Sequence, residues 1–192
     1  MFSTSSGTAR IAYRLQGDGI PVVLLHCTGA SSAAWEQLVA DLGPDHRTLA
    51  VDLHGFGDSD PWPGDRPLAL ADEVAAVLAA AEVLGEPFHL VGHSYGGAVA
   101  LKLALQAPQR LRSLTLIEPV AFHLLRDRPE EDRRHLMEIG RIALEVSRAA
   151  GNGDYRRGLA AFVDYWNGSG AWKALPAEKQ GQLVAQIGLV AL

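Results

Sequence analysis

The sequence holds one cysteine, Cys27, in 192 residues. A single thiol cannot close an intrachain disulfide, so the fold must rest on its core rather than on covalent staples. Basic runs are also missing: 17 Lys and Arg stand against 22 Asp and Glu, a formal charge of −5, which removes the electrostatic footprint expected for nucleic acid or anionic lipid. The most apolar stretches, Val22 to Leu25 and Val74 to Leu84, are too short or too interrupted to cross a bilayer. Met1 to Arg10 lacks the charged-then-apolar order of a signal peptide. No H-E-x-x-H and no cysteine pair is present, so neither a metal site nor a cofactor is expected. These absences lead to the expectation of a cytoplasmic protein that works on small molecules, with no nucleic acid and no membrane as partner. At 48% apolar and 20% charged residues, the chain can bury a core.

From about Arg10 to Pro119, short apolar runs alternate with longer helical patterns, the signature of strands and crossover helices in a mostly parallel sheet, hence an α/β class. Strands are expected at Arg10 to Leu15, Val22 to His26, Thr48 to Leu53, Phe88 to Val91 and Leu111 to Ile117. Helices fall between them. One is capped by Ser31 or Ser32 and stopped by Gly43-Pro44; another runs from about Leu70 to Leu84; a third begins after Ser94 and reaches Gln106. Beyond Pro119 no strand-like run follows. Helices are expected near Pro129 to Ala150, Asp154 to Trp166 and Pro176 to Leu189, so residues 1–119 read as an α/β core and 120–192 as a separate helical layer.

Gly92-His93-Ser94-Tyr95-Gly96 spells G-x-S-x-G between an expected strand and an expected helix, the context in which that pattern has mechanical meaning. A serine on so tight a turn takes a strained backbone conformation, and the flanking glycines remove Cβ atoms that would clash. Its hydroxyl then lies at a helix N-terminus, where free N–H groups favour a developing negative charge. The plainer alternative, a glycine-rich turn with an exposed serine, loses weight in this strand-turn-helix setting. A second small-residue loop, Cys27-Thr28-Gly29-Ala30-Ser31-Ser32, follows the strand ending at His26 and can bring another N–H near Ser94. Loss of one such donor typically costs about a hundredfold or more in rate.

Together these segments resemble the α/β-hydrolase fold family, with Leu25-His26-Cys27-Thr28-Gly29 as its oxyanion loop and Gly92 to Gly96 as its nucleophile elbow. Val51-Asp52-Leu53-His54-Gly55-Phe56-Gly57-Asp58-Ser59-Asp60 resembles the loop after the family's fourth strand. The resemblance implies Ser94 as nucleophile and the N–H groups of Tyr95 and Thr28 as an oxyanion hole. It implies His26, Cys27, Tyr165, Trp166 and Trp172 around a substrate pocket, and residues 120–192 as a helical cap. Cys27 stands where the family usually has glycine.

The family places its catalytic histidine after late strands that have no counterpart in these 192 residues, and a serine hydroxyl needs an adjacent base to become nucleophilic. The resemblance therefore implies an α/β-hydrolase-like sheet lacking its last two strands, a catalytic base missing from this chain, and an exposed edge on the last strand present. A second copy of the chain or a missing C-terminal segment is the expected partner. Glu118 occupies the place where some members keep the catalytic acid; a solvated carboxylate before a proline turn is the alternative. His46, His54 and His89 are expected to be surface or satisfied histidines, and Asp52 an organiser of its loop that accepts backbone N–H bonds. Two functions follow: a serine hydrolase of small esters or related acyl substrates, or a non-catalytic scaffold that binds an apolar ligand or pairs through its sheet edge.

Overall fold

The computed structural model describes residues 1–190, with side-chain surroundings to residue 185. It divides into two compact units, Met1–Val120 and Ala121–Leu192.

The first unit is a six-stranded sheet. Its strands are β1 (Phe2–Ser6), β2 (Ala9–Gln16), β3 (Ile20–Leu25), β4 (His46–Val51), β5 (Phe88–His93) and β6 (Leu111–Ile117), in the spatial order β1-β2-β4-β3-β5-β6. β4, β3, β5 and β6 run parallel, while β2 pairs antiparallel with both β1 and β4. The expected parallel sheet is therefore present with an antiparallel hairpin on one side. β1 was not expected, because Phe2-Ser3-Thr4-Ser5-Ser6 has almost no apolar residue; it forms as an edge strand paired to β2 through Gly7, whose φ of 60° turns the chain.

Helices α1 (Glu36–Leu42), α2 (Leu70–Ala81) and α3 (Tyr95–Gln106) cross between the strands. Ser31 caps the 3-10 turn that leads into α1, its side chain accepting the Ala33 N–H. Asp72 holds the start of α2: its carboxylate accepts the Ala69 N–H at 2.9 Å and binds Arg66 in a two-pronged pair at 2.7 Å. The core sits between these helices and the central strands: Val23, Leu24, Leu25, Leu49, Val51 and Leu90 are fully enclosed. Each such leucine contributes about 2 kcal/mol relative to an exposed one. β6 is different. It is the sheet edge, and Arg112, Ser113, Thr115 and Ile117 are exposed, leaving the outer row of its N–H and C=O groups unpaired.

The register aligns the carboxyl ends of four strands. Leu25 pairs with Val51 and with Gly92, and His93 with Ile117. His26, Asp52, Ser94 and Glu118 thus each leave the sheet near its carboxyl edge, where ligands bind in open α/β sheets.

The second unit contains α4 (Glu130–Gly151), α5 (Tyr155–Asn167), α6 (Ala171–Ala174) and α7 (Ala177–Val190). Leu159, Trp172 and Leu183 form its small buried cluster, with Leu175 and Val163 against them. α6 was not expected, being a single turn between Gly170 and Pro176. Ala191 and Leu192, the end of the expected helical layer, lie outside the described residues.

Candidate active site

Ser94 is the first residue after β5 and sits at the N-terminus of α3 with φ 53° and ψ −112°. Non-glycine residues rarely hold such a conformation. Here three hydrogen bonds impose it: Ser94 N–H donates to the Ile117 carbonyl at 2.9 Å, and the Ser94 carbonyl accepts from Val120 and Ala98 at 3.1 Å each. A serine at a helix start normally spends its hydroxyl on capping, yet this one makes no capping bond. The positive φ turns the side chain away from the backbone donors it would otherwise satisfy.

Two glycines make the turn fit. A Cβ at Gly92 would lie 2.5 Å from the Gly96 carbonyl oxygen, and one at Gly96 would lie 2.4 Å from the Leu25 oxygen. This closeness lets Gly96 N–H reach the His26 carbonyl at 3.2 Å, pinning the end of β3 to the first turn of α3.

The loop after β3 is a tight turn. Ala30 N–H donates to the Cys27 carbonyl at 3.2 Å, and Gly29 at its third position has φ 76°, the value a type II turn demands. Thr28 occupies the second position with its N–H outside the closed ring. Among the described residues, the N–H groups of Thr28 and Tyr95 have no hydrogen-bond partner. The Cys27 carbonyl also takes the His26 Nδ1–H at 2.8 Å. Burial pushes the half-buried Cys27 thiol up, so it stays protonated and is no thiolate nucleophile.

His26 was expected at the pocket wall, and the structure places it otherwise. The residue is 1% exposed, and both ring nitrogens are used, Nδ1 on Cys27 and Nε2 accepting the Leu53 N–H at 3.1 Å. Burial pulls its pKa down, against the opposing effects of the Cys27 bond and the Asp52 charge. A neutral Nδ1–H tautomer therefore ties the loop after β3 to the loop after β4. Asp52 organises both from within: its carboxylate accepts Ser32 N–H at 2.6 Å and Asp58 N–H at 3.0 Å. His54 departs from expectation, being neither on the surface nor satisfied; it is 1% exposed, its ring nitrogens have no partner, and it packs edge-on to Trp62.

Glu118 directly follows Ile117 and is exposed, with φ 44°. It and Ser94 are the two non-glycine residues with positive φ among those described, at the ends of adjacent strands. Within Met1–Val120 no histidine ring hydrogen-bonds to Ser94 or to Glu118.

In the second unit, Trp172 is 6% exposed inside the Leu159–Leu183 cluster, so it is a core residue rather than the pocket wall it was expected to be. Trp166 is 49% exposed, stacked on Phe122 at 6.1 Å, with Tyr165 edge-on to it at 4.9 Å. His135 on α4 lies 3.7 Å from Glu138, an exposed pair.

Glu73 was missed by sequence reasoning. It lies on α2, is completely buried, accepts His54 N–H at 3.2 Å, and receives the Tyr95 hydroxyl at 3.1 Å. The one available signal was a charged residue on the apolar stripe formed by Val74, Val77 and Ala81.

The alpha/beta hydrolase fold profile matches residues 20–167. The chain belongs to that family. It is 41% identical over 114 residues to the pimeloyl-(acyl-carrier protein) methyl ester esterase of Aeromonas hydrophila, covering 58% of this chain and 42% of that protein. Identity to the 2-hydroxy-6-oxo-6-phenylhexa-2,4-dienoate hydrolase of Comamonas testosteroni is 35% over 114 residues, covering 57% and 40%. An alpha/beta hydrolase from Sphaerobacter thermophilus superposes with a TM-score of 0.68 at 21% identity, over 99% of this chain and 69% of its own. The chain thus spans less than half the length of these two curated relatives, and about two thirds of that solved structure. No helix among the described residues is long and apolar enough to cross a membrane.

Proposed function

We propose that the first unit carries the nucleophile and oxyanion-binding half of a serine hydrolase acting on small carboxylic esters or related acyl substrates. The observation that carries the reading is Ser94 itself: φ 53°, an uncapped hydroxyl, and an unpartnered Tyr95 N–H in the next residue. In this reading the Ser94 oxygen attacks the acyl carbon, and the N–H groups of Tyr95 and Thr28 receive the carbonyl oxygen as it becomes negative. The N-terminus of α3 adds its dipole. Both similar curated proteins named above are hydrolases, one of them an esterase. The proton acceptor comes from outside Met1–Val120. A cytoplasmic, small-molecule role fits this assignment.

The experiment is hydrolysis of p-nitrophenyl acetate and fluorophosphonate labelling by the purified chain, with Ser94→Ala beside it. Weak, Ser94-dependent turnover and labelling are expected, since a serine hydroxyl without an adjacent base attacks slowly. Equal rates in parent and variant overturn the proposal.

Two observations favour a second reading, a non-catalytic scaffold: the outer side of β6 is unpaired, and no imidazole of the first unit bonds to Ser94. It expects no labelling at Ser94 and a dimer by light scattering.

A further inference from the structure

Tyr95 contributes to the site through its backbone, yet its side chain is also fixed. The ring leaves the first turn of α3 and ends with its hydroxyl on Glu73 Oε1 at 3.1 Å. The other carboxylate oxygen, Oε2, holds the His54 N–H at 3.2 Å. One buried carboxylate thus joins α2, the loop after β4 and the residue that follows the nucleophile. A fully buried carboxylate is costly to keep, and the proposed chemistry has no direct use for it.

Resting on the hydrolase reading and deepening it, we infer that Glu73 is a positioning residue: through the Tyr95 hydroxyl it sets the direction of the Tyr95 amide that faces the developing oxyanion. A rotation of the first turn of α3 would carry that N–H away from its target, and a misplacement of about 1 Å can cost on the order of a hundredfold in rate. The phenol anchor opposes the rotation from the far end of a rigid ring.

The anchor depends on charge. An ionised carboxylate only accepts, and its bonds are about twice as strong as neutral ones. Burial, with smaller opposing effects from His54 N–H and the Tyr95 hydroxyl, pushes Glu73 up to about 7. The groups facing it are few. Tyr95 comes from α3, the His54 amide from the loop, and Asp72 from α2 itself, already paired with Arg66. β1 carries no titratable side chain. Arg10 and Arg14 of β2 are engaged by Asp60 and Glu36, and His46 and Arg47 of β4 by the Leu42 and Val83 carbonyls. Glu73 therefore changes charge near neutral pH, and the grip on Tyr95 strengthens as pH rises.

Amide nitrogen shifts of the full chain test this without any need for turnover. In the parent, the amides of Tyr95 and His54 both titrate with a midpoint near 7, and Glu73→Gln abolishes both titrations. In Tyr95→Phe, which keeps the main-chain N–H, the His54 amide still titrates while the amide at position 95 no longer does. At pH 8, Glu73→Gln and Tyr95→Phe each slow Ser94 acylation by a fluorophosphonate about tenfold, and the double variant is no slower than either single one. A Tyr95 amide that stays still between pH 6 and 8 in the parent overturns the inference, as does multiplication of the two rate losses. An amide that titrates beside a Ser94 that is never labelled upholds the positioning link and overturns the hydrolase reading instead.

Discussion

Replacing Ser94 by glycine should stabilise the protein, and replacing it by alanine should not. At φ 53° and ψ −112° the residue holds a conformation that glycine adopts freely and any residue with a Cβ does not. The strain is worth about 1–3 kcal/mol. Glycine recovers it but brings extra freedom to the unfolded chain, costing about 0.5–1 kcal/mol, so a net gain near 1 kcal/mol is expected. The hydrogen bonds that hold the turn, to Ile117, Val120 and Ala98, run through the main chain and survive either substitution. Alanine keeps the strain and loses only a hydroxyl that caps nothing, so its effect should stay within about 0.5 kcal/mol. Thermal unfolding at fixed pH reads the difference: about 2–4 °C separates the glycine variant from the alanine variant in a chain of this size. Both lose every Ser94-dependent activity. If the glycine variant melts at or below the alanine variant, the turn is not strained and the reason given for an outward-facing hydroxyl fails.

Two other outcomes follow from buried groups. Glu73 has its folded pKa raised from 4.5 to about 7, so the stability it contributes is complete below about 4.5 and is lost as pH rises through about 7. At 1.36 kcal/mol per unit the loss reaches at most about 3 kcal/mol; urea titrations at pH 5 and 8 should therefore show Glu73→Gln gaining on the parent, and a constant difference would refute the shift. Asp52→Ala strands the Ser32 N–H in the interior and removes the partner of the Asp58 N–H nearer the surface, costing about 1–3 kcal/mol in the same assay; a loss under about 1 kcal/mol would mean water replaces the carboxylate.

The elements that carry the site were legible because their signals are local. Gly92 to Gly97 specifies a strand end, a tight turn and a helix start within six residues, and the observed backbone follows. Asp52 was legible for the same reason, since an aspartate just after a strand, followed by Gly55 and Gly57, asks for main-chain donors. What escaped were interactions whose partners lie far apart in sequence. β1 exists because β2 offers it a ladder, though its own residues have little strand character. His26 lost its pocket role to Leu53, 27 residues away, and Trp172 to Leu159 and Leu183. Glu73 meets Tyr95 and His54 only after α2 has packed on α3.

The same contrast explains how a strained serine is held at the sheet's carboxyl edge. A turn at φ 53° cannot rest on local preference, so its geometry must be imposed from elements that do not share its strain. β6 supplies one fixed point through Ile117, β3 another through the His26 carbonyl on Gly96, and α2 a third through Glu73 on the Tyr95 hydroxyl. Three anchors in different directions define an orientation where two would leave a hinge. The first two are neutral main-chain bonds that persist at any pH where the fold survives. Only the third carries a titrating charge, so pH-dependent adjustment of the elbow in this unit should enter through α2, while the sheet itself stays still.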